Sequence, residues 1–135
     1  MTRPSALIIE DDPKQGVIFQ VALQQAGFDA DVDQDGKLFA ERLANPPPAL
    51  IILDIHLPFA SGIDIFKQIK SSENWAKAVV IVATADLLLS KSLEGRADHV
   101  LVKPVSVRRI MNIVSTRWPA LSAAGLPENK EARYG

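Results

Sequence analysis

Residues 50–54, Leu-Ile-Ile-Leu-Asp, form an apolar run that ends in a carboxylate, and this pattern decides the fold. Three more apolar runs end in polar residues: residues 7–9 before Glu10, Asp11 and Asp12; residues 79–83 before Thr84; and residues 100–102 before Lys103. Short apolar runs of this kind are typical of strands covered on both faces, as in parallel sheets. Ligands of such sheets bind beyond the carboxyl ends of the strands. The sequence therefore predicts one site that gathers carboxylates, an ammonium and a hydroxyl, suited to a divalent cation and a phosphoryl group.

The composition is that of an ordinary globular protein. The 135 residues fit one domain, with 47% hydrophobic and 23% charged residues. The net charge of −1 and the lack of a basic block give no electrostatic footprint for nucleic acid. Cysteine is absent, which excludes disulfides and cysteine–zinc sites. The sequence shows neither a secretion signal nor an apolar stretch of the ~18 residues that span a membrane. We therefore expect a soluble cytoplasmic protein without nucleic-acid or membrane partners.

The apolar runs alternate with helix-like segments along the chain. Pro13 suits the first position of a helix and Gly27 its left-handed end. Five strands alternate with five helices, which predicts a doubly wound α/β sandwich. Right-handed crossovers favour a parallel sheet of order 2-1-3-4-5. We expect one domain over residues 1–118 and a C-terminal tail over residues 119–135.

Four short motifs follow one another in a specific order. They are Leu-Ile-Ile-Glu-Asp-Asp from residue 7, Leu-Asp-Ile-His-Leu-Pro from residue 53 with Gly62 downstream, Val-Ala-Thr-Ala from residue 82, and Val-Lys-Pro from residue 102. The ordered set resembles the receiver domain of two-component response regulators, over residues 6–118. The resemblance implies a flavodoxin-like (βα)5 fold and a chemotaxis-regulator-like single-domain protein. It also implies a signalling module rather than an enzyme, with only self-phosphorylation from acyl phosphates and slow autodephosphorylation.

The resemblance assigns roles to the acidic residues. Asp54 is expected to accept a phosphoryl group from a histidine kinase or phosphotransfer protein. Glu10 and Asp11 form the acidic pocket, and Asp11, Asp54 and the backbone carbonyl of His56 hold Mg²⁺. Crowded carboxylates either raise a pKa or recruit a cation, and an all-oxygen site suits Mg²⁺. The His56 imidazole could also tune the attack of water, although a role for its backbone alone is the favoured interpretation.

The resemblance also assigns the groups that contact the phosphoryl oxygens. These are Thr84, Ala85 and Lys103, of which Lys103 is a mobile point charge. Inward movement of the Thr84 hydroxyl is the expected two-state trigger. The Lys103–Pro104 peptide is expected to be cis, which would aim the lysine into the cleft. Val100 departs from the family because most receivers carry an aromatic residue there, so the usual aromatic readout is in doubt.

Several apolar residues have two interpretations. Residues 87–89 are three leucines in a short helix, and three successive helical residues cannot all face one core. Either one of them contributes to a partner surface, or a distorted helix buries all three. Val17 and Val21 lie beside the core stripes of the first helix, and either dock a kinase or are partly buried. We expect a downstream protein target on the face of the fourth helix, fifth strand and fifth helix. A homodimer is an alternative that the sequence leaves open.

Three alternative functions stay in view. A phosphatase of the haloacid dehalogenase type also uses Asp, Thr and Lys at strand ends, but needs a second aspartate where His56 stands. A flavodoxin-type electron carrier needs hydroxyls and glycine where the first strand ends in acids. A degenerate receiver would bind partners without phosphorylation. Asp12 is expected to cap the first helix rather than to bind metal.

Overall fold

The computed structural model describes residues 3–58 and 61–121, and it consists of a parallel sheet with helices on both faces. In chain order the elements are β1 (Ser5–Ile9), α1 (Pro13–Ala26), β2 (Asp29–Asp33), α2 (Lys37–Arg42), β3 (Leu50–Asp54), α3 (Gly62–Ser71), a 3-10 turn (Trp75–Lys77), β4 (Val79–Thr84), α4 (Leu87–Leu93), β5 (His99–Val102) and α5 (Val107–Arg117). All strand pairs are parallel, in the order β2-β1-β3-β4-β5. The predicted doubly wound (βα)5 fold is confirmed.

The apolar runs are buried on both faces of the sheet, as their composition indicates. Along β3, Ile51 and Leu53 pack with residues of α3 and α4 in one core cluster. Leu50 and Ile52 pack with residues of α1 and α5 in a second cluster on the opposite face. Because successive strand residues point to opposite faces, only a continuous apolar run can supply both clusters.

The ends of α1 follow the rules of helix capping. The Asp12 side chain accepts a hydrogen bond from the Lys14 N–H at 3.0 Å, and Pro13 is the first helical residue. Gly27 ends the helix in the left-handed region at φ 110°. The capping role predicted for Asp12 is confirmed, so its carboxylate is already engaged outside the acidic pocket.

Gly62 packs the start of α3 against the end of β3. Its N–H donates to the Ile55 carbonyl at 3.2 Å. A Cβ at this position would lie 2.5 Å from both the Cα and the carbonyl oxygen of Ile55. Only a residue without a side chain permits this approach, which closes the loop that follows Asp54.

The exposure of apolar residues on α1 and α4 shows which of them belong to the core. Leu87 and Leu88 are 64% and 81% exposed, whereas Leu89 packs against the core. A distorted helix that buries all three leucines is therefore excluded. On α1, Val17, Ile18 and Val21 are about half exposed. The helical spacing predicts a core stripe of Ile18, Ala22 and Ala26, of which only the two alanines are buried.

The chain ends in a segment that the structure covers only in part. Of the predicted tail 119–135, residues 122–135 lie outside the described residues, and Leu121 packs against the second core cluster. Among the helices that are described, none has the length and apolar character needed to cross a membrane.

Candidate functional site

Asp54 is the last residue of β3, and its carboxylate is held at both oxygens. The residue is 3% exposed and lies opposite Ala83 of the neighbouring strand. Its Oδ1 accepts a hydrogen bond from the His56 N–H at 3.0 Å. Its Oδ2 lies 3.0 Å from the Lys103 ammonium. A buried carboxylate with a fixed orientation therefore stands at the carboxyl edge of the central strand.

Glu10 and Asp11 follow β1 and bring two more carboxylates to this place. Glu10 is buried and its Oε1 lies 3.7 Å from the Lys103 Nζ. Carboxylate oxygens of Glu10, Asp11 and Asp54 all lie within 4.8 Å of one another. The register of β1 beside β3 causes this convergence, since Ile9 pairs with Leu53 and the next residues leave the sheet side by side. The predicted meeting of these charges is confirmed.

The crowding of charges changes the protonation of the site. Burial raises the pKa of Glu10 from 4.5 to about 7, and the hydrogen bond to Asp54 and its charge add to this effect. Burial alone would lower the pKa of Lys103, but the hydrogen bond and charge of Asp54, together with the charges of Glu10 and Asp11, raise it. The site therefore holds more negative charge than one ammonium neutralises, which favours recruitment of a cation.

The acidic cluster fits Mg²⁺ by the chemistry of its donors. The three side chains offer only oxygen atoms, which are the ligands that this ion prefers. Asp11 is only half-buried, which leaves the cluster open to water and to phosphate oxygens. The N–H of His56 is bound to Asp54, and the role of its carbonyl as a metal ligand stays a prediction.

Thr84 ends β4 and is completely buried. Its Oγ1 accepts a hydrogen bond from the Asp86 N–H at 3.0 Å, and it also lies 3.0 Å from Nε2 of the His56 ring. The His56 ring thus contacts the predicted switch residue, while the interpretation that only its backbone matters stays a prediction. Asp86 itself caps α4, because its side chain accepts from the N–H groups of Leu88 and Leu89. The sequence signal for this cap is an aspartate directly before a helix.

Lys103 follows β5 and closes the site from the other side. Its N–H donates to the Thr84 carbonyl at 2.8 Å, so the ends of β4 and β5 are joined. The Lys103–Pro104 peptide is cis, as expected. Ala85 is exposed beside Thr84, and Val100 is half-buried against the first core cluster. The acidic, hydroxyl and ammonium side chains predicted to act here thus come from the carboxyl edge of the sheet, whereas Val100 lies inside β5.

A cavity of about 370 Å³ opens beside Glu10 and Lys103. It lies between the start of α1 and the segment that leads into α5, and it is lined by Glu10, Asp12, Gln15, Phe19, Ala83, Lys103, Pro104 and Val105. Glu10 and Lys103 line this cavity, whereas Asp11 and Asp54 do not, so the cavity adjoins the acidic cluster on the Glu10 side.

Comparison with known proteins agrees with this geometry. A family model described as the response regulator receiver domain matches residues 6–115. The chain is 28% identical to the response regulator ArlR of Staphylococcus saprophyticus over 106 residues, which cover 78% of this chain and 48% of that protein. It is 31% identical to the transcriptional regulatory protein QseB of Haemophilus influenzae, over 77% of this chain and 48% of that protein. The chain thus spans about half the length of these curated relatives.

Solved structures show the same fold at lower identity. A CheY-like receiver domain protein from Methanospirillum hungatei has a TM-score of 0.75 and 20% identity, over 92% of this chain and all of that one. The receiver domain of the sensor histidine kinase PA1611 from Pseudomonas aeruginosa has a TM-score of 0.74 and 22% identity, over 87% of this chain and 98% of that one. The latter structure is described with a magnesium ion in its active site cleft. With the family match over most of its length, this chain belongs to the response regulator receiver domains of two-component signalling.

Proposed function

We propose that Asp54 accepts a phosphoryl group from the phosphohistidine of a histidine kinase or phosphotransfer protein, in a Mg²⁺-dependent reaction that switches a protein-binding surface. The observation that carries this proposal is the placement of one buried carboxylate between an acidic pair and an ammonium 3.0 Å away. A carboxylate of purely structural use would not need two further carboxylates within 4.8 Å of it.

The geometry of Asp54 suits a nucleophile. The His56 N–H fixes Oδ1 and the Lys103 ammonium holds Oδ2, so the plane of the carboxylate is set before the donor arrives. In the transfer, an Asp54 oxygen attacks phosphorus in line with the leaving group, and the bond from phosphorus to the donor imidazole breaks. The electron pair of that bond returns to the imidazole nitrogen.

The surrounding groups match the charge that the transfer brings into the site. Glu10, Asp11 and Asp54 would hold Mg²⁺, with the carbonyl of His56 as a further ligand. When bound, this ion would neutralise charge on the phosphoryl oxygens and align them for in-line attack. Lys103 exchanges its contact with Asp54 for one with a phosphoryl oxygen. The Thr84 hydroxyl and the backbone N–H of Ala85 supply neutral donors for the remaining oxygens.

Apolar side chains near the site support the partners that we propose. Val17, Ile18 and Val21 of α1 are 51%, 48% and 44% exposed, on the helix that lines the cavity. We propose that the kinase or phosphotransfer protein covers these residues. Leu87, Leu88 and Val102 form a second group of exposed apolar residues, on α4 and β5, where we place the downstream target.

Labelling with a small acyl phosphate tests this function without the cognate kinase. The wild type with acetyl phosphate and Mg²⁺ should gain one phosphoryl group by intact mass, and chelation of the metal should prevent it. Asp54→Asn should gain none, whereas Asp35→Asn, which changes an exposed aspartate after β2, should label as the wild type does.

Two results would contradict the proposal. Undiminished labelling of the Asp54→Asn variant would place the acceptor elsewhere. A wild type that stays unlabelled by acetyl phosphate and by phosphohistidine donors would favour the degenerate receiver. A phosphatase of the haloacid dehalogenase type is not supported, because the residue two positions after Asp54 is His56 and offers no carboxylate.

A further inference from the structure

The hydroxyl of Thr84 is held from two sides in a buried position. The Asp86 N–H donates to Oγ1 at 3.0 Å, and Nε2 of His56 lies 3.0 Å from the same oxygen. Thr84 itself has no exposed surface. Among the hydrogen bonds of residues 3–58 and 61–121, none joins this hydroxyl to Asp54. In this state the hydroxyl is thus committed to His56 and Asp86.

The backbone that carries the His56 ring is fixed, although its side chain reaches the surface. The His56 N–H donates to Asp54 Oδ1 at 3.0 Å, and His56 pairs with Ser61 in an antiparallel bridge. The adjacent Gly62 N–H donates to the Ile55 carbonyl. Because the backbone of His56 is held in this way, only its side-chain torsions remain to be ordered when the imidazole contacts Thr84.

The capacity of a hydroxyl limits what Thr84 can do while it is held. A threonine hydroxyl has one proton and two lone pairs, and Asp86 uses one lone pair. His56 takes either the proton or the second lone pair, depending on which ring nitrogen is protonated. If Nε2 accepts, it uses the single proton of Thr84, and a phosphoryl oxygen on Asp54 can receive that proton only after the bond to His56 breaks. If Nε2 donates instead, the proton stays free, so the argument that follows concerns the tautomer in which Nε2 is the acceptor.

We propose that the His56 imidazole, with Nε2 accepting the Thr84 proton, is a latch that holds Thr84 in its inactive position, so that switching requires the His56–Thr84 hydrogen bond to break. His56 is a positioning residue in this account, because it acts through Thr84 and not on the phosphorus atom. The inference rests on the proposed phosphoryl acceptance at Asp54. The free energy needed to break the His56–Thr84 hydrogen bond reduces the net binding free energy of the phosphoryl group.

Beryllofluoride, a stable mimic of the phosphoryl group, measures that cost at equilibrium. Its affinity in the presence of Mg²⁺ should rise about fivefold in His56→Ala, the factor that corresponds to one ordinary hydrogen bond. The same substitution in the Thr84→Val background should change the affinity little, because no hydroxyl remains to be held. The loss of the Asp86 bond is common to both Thr84→Val proteins and cancels in this double-mutant cycle.

Nuclear magnetic resonance of the Thr84 methyl group gives a second readout that does not depend on the valine variant. His56→Ala should shift this resonance in the unliganded protein and leave it unchanged in the beryllofluoride complex, where the bond is already broken. An equal shift in both states, an equal affinity change in both Thr84 backgrounds, or weaker binding by His56→Ala would overturn the latch. Failure of the wild type to bind beryllofluoride and to label with acetyl phosphate would instead refute the proposed function.

Discussion

Replacement of Glu10 by glutamine should make the metal-free protein more stable at alkaline pH. The Glu10 carboxyl is 3% exposed, and burial together with the neighbouring Asp54 raises its pKa from 4.5 to about 7. Between these two values the folded protein retains a proton that the unfolded chain has released. The free energy of unfolding therefore falls as the pH rises through this window. Glutamine is neutral at every pH and removes this loss.

The size of the effect follows from the difference between the two pKa values. One pKa unit corresponds to about 1.4 kcal/mol, so the separation of the folded and unfolded pKa values of Glu10 gives roughly 3 kcal/mol at high pH. Part of this is already present at pH 5, where the unfolded glutamate is partly ionised. Glu10→Gln should therefore gain roughly 2 kcal/mol over the wild type between pH 5 and pH 8.

Urea unfolding with a chelator present measures this gain directly. Glu73→Gln is the matched control, because Glu73 is exposed in the connection between α3 and β4, and its difference from the wild type should not grow with pH. Saturating Mg²⁺ should reverse the order at pH 8, because ligand binding stabilises the protein with the complete carboxylate cluster more strongly. A pH-independent difference between Glu10→Gln and the wild type would refute the reasoning.

Three further predictions concern the scaffold, and urea unfolding measures each of them. Gly62→Ala should lower the free energy of unfolding by about 2 kcal/mol or more, because the new Cβ meets Ile55 backbone at 2.5 Å; an unchanged midpoint would contradict this. Asp33→Ala should lower the free energy of unfolding by about 1–3 kcal/mol, because this buried carboxylate accepts hydrogen bonds from three backbone N–H groups at the start of α2. A decrease below about 0.5 kcal/mol would contradict this and show that water replaces the carboxylate. On α4, Leu88→Ala should change stability by less than about 0.5 kcal/mol and Leu93→Ala should lower it by about 2–4 kcal/mol; equal effects would mean that the helix packs differently.

The sheet and its acidic edge could be predicted because they depend on short-range patterns. Continuous apolar runs identify buried parallel strands, and strand order then follows from the handedness of the crossovers. Once β1 and β3 are neighbours, their register alone brings Glu10 and Asp54 together. The cap at Asp12 and the end at Gly27 are likewise local features, and both are present.

The contacts that could not be predicted depend on side-chain rotamers and on neighbours distant in the sequence. The bond between His56 and Thr84 joins residues 28 positions apart and depends on how the loop after β3 closes. Asp33 ends an alternating edge strand, so its burial under the N–H groups of α2 is not visible in the pattern. Ile18 has the helical spacing of Ala22 and Ala26, which are buried, but Ile18 itself is 48% exposed, so the spacing alone does not show where the buried stripe begins.

The central claim is that convergence of the strand ends makes Asp54 the phosphoryl acceptor. Reduction with borohydride after incubation with acetyl phosphate and Mg²⁺ converts an aspartyl phosphate into homoserine, which peptide mass spectrometry can locate. The account predicts homoserine at position 54, and none when Mg²⁺ is withheld. A reduced residue at Asp11, or at any acidic position other than Asp54, would contradict it.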